Sequence, residues 1–194
     1  MRKVIVSNFI SLDGYVAGVG DDVMALPFDP SFDTYNLERI RNAGTLIAGR
    51  TTYEQLMAFW VPLADDPAAS DLQQEIGRFN RDVEKVVVSN SLRSVATPVP
   101  RTTVVGRDDA VDSLVALRQA PGRHILCFGS HLTWNPLLAA GQVDELHLMV
   151  GCAGLGTGVP LFTTATPRLQ LLDTWRADDA DSIVLRYSAR VSER

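Results

Sequence analysis

Residues 45–54, Thr45-Leu46-Ile47-Ala48-Gly49-Arg50-Thr51-Thr52-Tyr53-Glu54, decide how this chain folds. Thr45–Ala48 is a short apolar run that reads as a buried strand. Gly49-Arg50 ends it, and Thr51–Phe59 reads as a helix that opens at once, with hydroxyl residues in its first turn. A strand that passes into a helix over one glycine is the building unit of an α/β domain.

The same alternation extends in both directions. Upstream, Lys3–Phe9 reads as the first strand and Ile10–Pro30 as a loop rich in Gly, Asp and Pro. A helix is expected to begin near Ser31 or Asp33, either of which can cap it, and to stop at Gly44. Downstream, Pro62–Ala69 reads as a loop, Ser70–Arg81 as a helix, and Lys85–Ser89 and Thr102–Val105 as strands. Asp109 and Asp112 suit the first turn of a helix running to Gln119. His124–Phe128 and Val143–Val150 read as strands around a helix, Ser130–Ala140, in which Pro136 predicts a kink or a late start. Arg168–Arg176 and Ser182–Arg190, separated by the acidic turn Ala177–Asp181, predict an antiparallel hairpin at one edge of the sheet. No Pro/Gly/Ser linker divides the chain, so one domain is expected over residues 1–194.

With 194 residues, 46% of them hydrophobic and 21% charged, the chain has globular composition and enough length for a core with a cleft. A net charge of −5 and the lack of basic runs argue against nucleic acid as a partner. No apolar stretch approaches the ~20 residues of a membrane span, and Met1–Asn8 lacks the pattern of a secretory signal. A cytoplasmic location is therefore expected. Cys127 and Cys152 lie in or beside apolar runs and read as small buried thiols, and no metal-ligand spacing is present.

Three turns at strand ends have the chemistry of an anion site. Gly49-Arg50-Thr51-Thr52 offers free amides at a helix start, hydroxyls and a guanidinium fork. Phe128-Gly129-Ser130-His131-Leu132 repeats the strand-to-helix pattern, with His131 either a proton carrier or a surface histidine. Ser89 and Asn90 place small polar groups at a third strand end. Crevices at the carboxyl ends of parallel strands are where such sheets bind ligands. Gly154-Leu155-Gly156-Thr157-Gly158 looks like a dinucleotide fingerprint, but Val159-Pro160-Leu161-Phe162 follows in place of an amphipathic helix, so it reads as a turn. Asp13, in the Asp-Gly of Ser11–Gly14, is first a turn residue. Asp33 lies at a helix start.

The ordered set SLDG (Ser11–Gly14), GRTTYE (Gly49–Glu54), VVSNSL (Val87–Leu92), FGS (Phe128–Ser130), VDEL (Val143–Leu146) and GxGxPLF (Gly156–Phe162) resembles the RibD C-terminal domain family of the dihydrofolate reductase superfamily. The resemblance spans nearly the whole chain. It implies a three-layer α/β fold with a mostly parallel central sheet and a C-terminal antiparallel hairpin. It implies NADPH as cofactor, with Gly49, Arg50, Thr51 and Thr52 on one side of the pyrophosphate. Gly129, Ser130, His131 and Leu132 would lie on the other side, Ser89 and Asn90 by the adenine ribose, and Val16 and Ala17 by the nicotinamide.

Phe128 stands where the family usually has glycine, and a cis peptide between Phe128 and Gly129 is still implied. Asn90 stands where many relatives carry Arg, which leaves Arg50 and Arg107 to supply charge. Leu26-Pro27-Phe28 followed by Asp33 resembles the dihydrofolate reductase segment that carries the substrate-binding carboxylate. Asp33 is thus the candidate catalytic residue, and Asp13, Phe28 and Asp33 the candidate substrate contacts. The implied activity is NADPH-dependent reduction of a small heteroaromatic compound, pterin-like or pyrimidine-like, by a homodimer. A true dihydrofolate reductase and a non-catalytic nucleotide-binding dimer are the alternatives.

Overall fold

The structure, a computed structural model, describes residues 1–92 and 99–190. Its centre is an eight-stranded sheet, and strand order follows from which runs are apolar on both faces. β1 (Val4–Ile10) is buried along its whole length and takes the interior, between β6 (His124–Phe128) and β7 (Glu145–Val150). β3 (Ala43–Gly49), β4 (Glu84–Val88) and β5 (Thr102–Val105) continue outward from β6, all parallel. On the other side β10 (Ile183–Ser188) pairs antiparallel with β7, and β9 (Gln170–Trp175) antiparallel with β10. The order is β5-β4-β3-β6-β1-β7-β10-β9. The fold is the mostly parallel α/β sheet with a C-terminal hairpin that the resemblance implied.

Helices cover both faces. Because side chains alternate along a strand, Ile5 of β1 packs with Ile40, Ile76 and Leu126 on the face carrying α1 (Ser31–Arg41) and α3 (Asp71–Asp82). Tyr53 and Met57 bring α2 (Arg50–Trp60) to the same face, against Leu46, Ala48 and Val87. Val4, Val6 and Ile10 point the other way. They meet Leu114 of α4 (Ala110–Gln119) and Trp134, Leu137 and Leu138 of α5 (His131–Ala139).

Several local expectations change. The helix over Ser31–Arg41 ends three residues before Gly44, which lies inside β3. A Cβ there would come within 3.3 Å of the Arg123 backbone, so the glycine serves close strand packing and not a helix stop. Neither Ser31 nor Asp33 caps that helix. Pro30 is its N-cap, and the Asp29 carboxylate accepts from the Ser31 N–H at 2.8 Å. The loop Ile10–Pro30 contains a short strand, β2 (Tyr15–Ala17), and a 3-10 turn at Val23–Ala25. β2 pairs with β8 (Val159–Pro160), a contact that no periodicity in so short a run announces. α5 begins at His131, so Pro136 does not delay it. Cys127 is buried but Cys152 is exposed, because the chain leaves β7 through Gly151 and enters a surface loop. No helix among the described residues is long and apolar enough to cross a membrane.

Candidate functional site

The carboxyl edge of the parallel strands gathers most of the residues singled out above. β3 and β4 end together, Gly49 opposite Val88, which puts Ser89 beside the start of α2. β6 ends at Phe128 opposite Ser7 of β1. The β3–α2 and β6–α5 turns touch directly: the Gly49 N–H donates to the Ser130 Oγ at 3.0 Å. A Cβ on Gly49 would lie 2.8 Å from the Thr133 Oγ1, so only glycine allows this approach. Thr133 is one turn along α5 from Ser130. The motif reading missed it, although its spacing from Ser130 marks the same helix face.

Gly129 and Ser130 both take left-handed backbone, φ +53 and +54. For Ser130 this is a strained conformation of the kind concentrated at ligand sites. It also corrects the cis peptide implied between Phe128 and Gly129. Every peptide bond among the described residues is trans, and the two left-handed residues make the reversal instead. A Cβ on Gly129 would meet Thr52 at 3.6 Å, which brings a second residue of the α2 start against the same turn. The first residue of α2, Arg50, is exposed and bonded to Glu54 at 2.9 Å. Thr51 is exposed and Thr52 half-buried in the first turn. Two helix N-termini therefore converge, with their free amides and positive dipole ends.

At the third strand end the side chains are already engaged. Ser89 Oγ accepts from the amides of Ser91 and Leu92, and Asn90 Oδ1 accepts from the Arg107 N–H at 2.8 Å. Asn90 thereby ties the β5–α4 turn to β4 and sets exposed Arg107 beside it. His131 is half-buried, and burial holds its pKa below the ordinary value against the opposing charge of Asp21. Leu132 is exposed. Val16 and Ala17 are buried on β2, Val16 within the cluster that contains Trp134 and Leu161.

On the β1–β7 side, Phe28 is half exposed with its ring 4.9 Å from Phe9, and Phe9 meets Phe32 edge-on at 5.7 Å. Asp33 follows in the first turn of α1, half-buried, and desolvation raises its carboxyl pKa to about 6. A carboxylic acid titrating there is suited to proton transfer or to holding a cationic ring edge near neutral pH.

Asp13 does something else. Its Oδ1 accepts from the Leu155 N–H at 3.0 Å and its Oδ2 from the Gly156 N–H at 2.7 Å, and Ser11 Oγ donates to Oδ1 at 2.6 Å. These bonds pull its pKa down to about 2. Asp13 thus latches the glycine-rich loop 154–158 to the loop that follows β1. Asp13→Ala is expected to speed amide hydrogen exchange at Leu155 and Gly156 while leaving β1 protected. Unchanged exchange at both amides would deny the latch.

Comparison with known proteins agrees with this architecture. The model of a family described as the RibD C-terminal domain matches residues 2–183. A Bacillus subtilis protein described only as uncharacterized protein YyaP is 24% identical over 170 residues, covering 88% of this chain and 85% of that one. A crystal structure from Shewanella sp. PV-4, of a protein described as a candidate for riboflavin biosynthesis, superposes with a TM-score of 0.68. It is 20% identical and covers 96% of this chain and 98% of its own. A Thermotoga maritima protein is described as a diaminohydroxyphosphoribosylaminopyrimidine deaminase/5-amino-6-(5-phosphoribosylamino)uracil reductase. It superposes with a TM-score of 0.65 at 14% identity, over 96% of this chain and 56% of that longer one.

Proposed function

Because the chain belongs to the RibD C-terminal domain family, we propose that it is a reductase that uses NADPH and acts on a small heteroaromatic compound of the pterin or pyrimidine type. The observation that carries this reading is the joined pair of turns, with Gly49 N–H on Ser130 Oγ and left-handed backbone at Gly129 and Ser130. Converging helix starts with glycine at the point of approach form a cradle for a pyrophosphate.

In this reading each part of the cofactor has its own residues. Gly49, Arg50, Thr51 and Thr52 hold the pyrophosphate from one side, and Gly129, Ser130, His131 and Leu132 from the other. Ser89 and Asn90 stand at the adenine ribose, with Arg50 and Arg107 for the 2′-phosphate charge. Val16 and Ala17 exclude water beside the nicotinamide. The bound cofactor supplies the hydride. Asp33 anchors an amino-substituted ring edge or holds the proton that the reduced substrate takes, and Phe28 covers one face of that ring. A cytoplasmic homodimer belongs to the same reading, and light scattering tests its mass.

Parallel calorimetric titrations with NADPH and NADH test the cofactor directly. NADPH is expected to bind more tightly. Arg50→Ala is expected to weaken it about tenfold, the loss of one charge-assisted contact of ~1.4 kcal/mol. No binding of either nucleotide overturns the proposal.

A further inference from the structure

The loops around Asp33 differ in charge from those around Arg50. Between Lys3 and Arg39, and again between Arg123 and Arg168, the sequence contains no Lys or Arg. These two segments supply β1, β2, most of α1, β6, α5, β7 and β8, and with them both loops that follow β1 and β7. The first segment carries Asp13, Asp21, Asp22, Asp29 and Asp33. The β9–β10 turn reaches the same end of the sheet, because Ile183 pairs with Val150. Ser182 lies near enough to the Asp29 carboxylate to help hold its pKa down, which sets that turn beside the start of α1. The turn adds Asp178, Asp179 and Asp181. Its cation, Arg176, donates to the Ala180 carbonyl at 3.0 Å within the turn.

Two features on this side have the geometry to receive an anion, and the chain fills both with its own carboxylates. At the N-terminus of α1, Asp29 accepts from the Ser31 amide at 2.8 Å and Asp33 occupies the first turn. At the glycine-rich loop, the amides of Leu155 and Gly156 point at Asp13. A phosphate dianion here would meet like charge and find its amide donors taken, which is rejection built into the site. The Thermotoga protein, by contrast, is named for a uracil that carries a phosphoribosyl group.

We infer that the substrate of this chain is an amino-substituted nitrogen heterocycle without a phosphate, bound as a neutral molecule or a cation beside Asp33. The inference rests on the proposed function for the location of the substrate, and it narrows the chemistry of that same site.

The test titrates the full chain, with and without saturating NADPH, with three probes: 2,4-diaminopyrimidine, 5-amino-6-ribosylaminouracil and the 5′-phosphate of the latter. Diaminopyrimidine is expected to bind, more weakly as salt is raised from 50 to 200 mM, because screening weakens its attraction to the acidic rim. The phosphate is expected to weaken binding of the ribosyl compound at least tenfold. Equal or tighter binding of the phosphorylated compound overturns the inference, and so does the failure of all three probes to bind. NADPH binding without the expected order of probes sinks the substrate class alone. The expected order without NADPH binding sinks the reductase reading alone.

Discussion

Replacing Asp33 by Asn is expected to lower kcat/KM for the heterocycle by about 10²–10⁴-fold, the range for loss of a positioned acid–base group, while making the protein more stable above pH 6. The two effects have one cause. Burial lifts the Asp33 carboxyl from its ordinary 3.8 to about 6. A folded-state pKa above the unfolded one contributes stability that is fully present below pH 3.8, where both states hold the proton. That contribution is lost as the pH rises through about 6, and beyond it the folded chain carries a half-buried charge. Asparagine removes this charge, so the variant gains about 2 kcal/mol over the wild type at pH 8, and the two converge toward pH 4. Thermal unfolding at pH 4, 6 and 8 reads the stability change, and NADPH oxidation reads the activity. The wild-type pH profile should inflect near 6, and the Asn variant should lack that inflection. Undiminished turnover in the variant would remove Asp33 from the chemistry.

Gly49→Val should cost about 100-fold in NADPH affinity, ~2.7 kcal/mol, without unfolding the protein. The Cβ alone would stand 2.8 Å from the Thr133 Oγ1 and 3.9 Å from the Ser130 Oγ. A branched side chain is expected to drive α5 away from α2 and break the Gly49–Ser130 bond, which opens the cradle where the two turns touch. Pairing Gly49→Ala with Thr133→Ala relieves that contact, and part of the affinity should return relative to Gly49→Ala alone. Calorimetry measures the affinities, and a retained cooperative melt separates them from misfolding. Wild-type affinity in Gly49→Val would place the pyrophosphate elsewhere.

Local chemistry made much of this readable. Thr102–Val105 and His124–Phe128 form strands over the very residues expected, because short apolar runs between turn residues leave little choice. The hairpin of β9 and β10 also stands where the acidic turn predicted it. The strand-to-helix turns at Gly49 and Gly129 were legible because a glycine between strand and helix has a narrow set of uses. Less was legible where a residue's role depends on what faces it. Gly44 reads as a helix stop until β3 is seen to pass close to Arg123. Asp13 reads as a turn residue, and its partners are amides far along the chain.

By itself the sequence determined the order of the main strands and helices and the α/β class, since these depend on spacings within a few residues, and the family, since its short motifs keep their order along the chain. Only the tertiary structure decided which polar groups meet. Gly49 and Ser130 are 81 residues apart, and Asp13 and Leu155 are 142 apart. A bond between such positions depends on strand order and on the twist that brings loops together at one sheet edge. The same is true of the raised Asp33 carboxyl and of the filled amide sites around it. Burial and the capture of a donor are properties of the assembled fold, set by neighbours that chain order does not reveal.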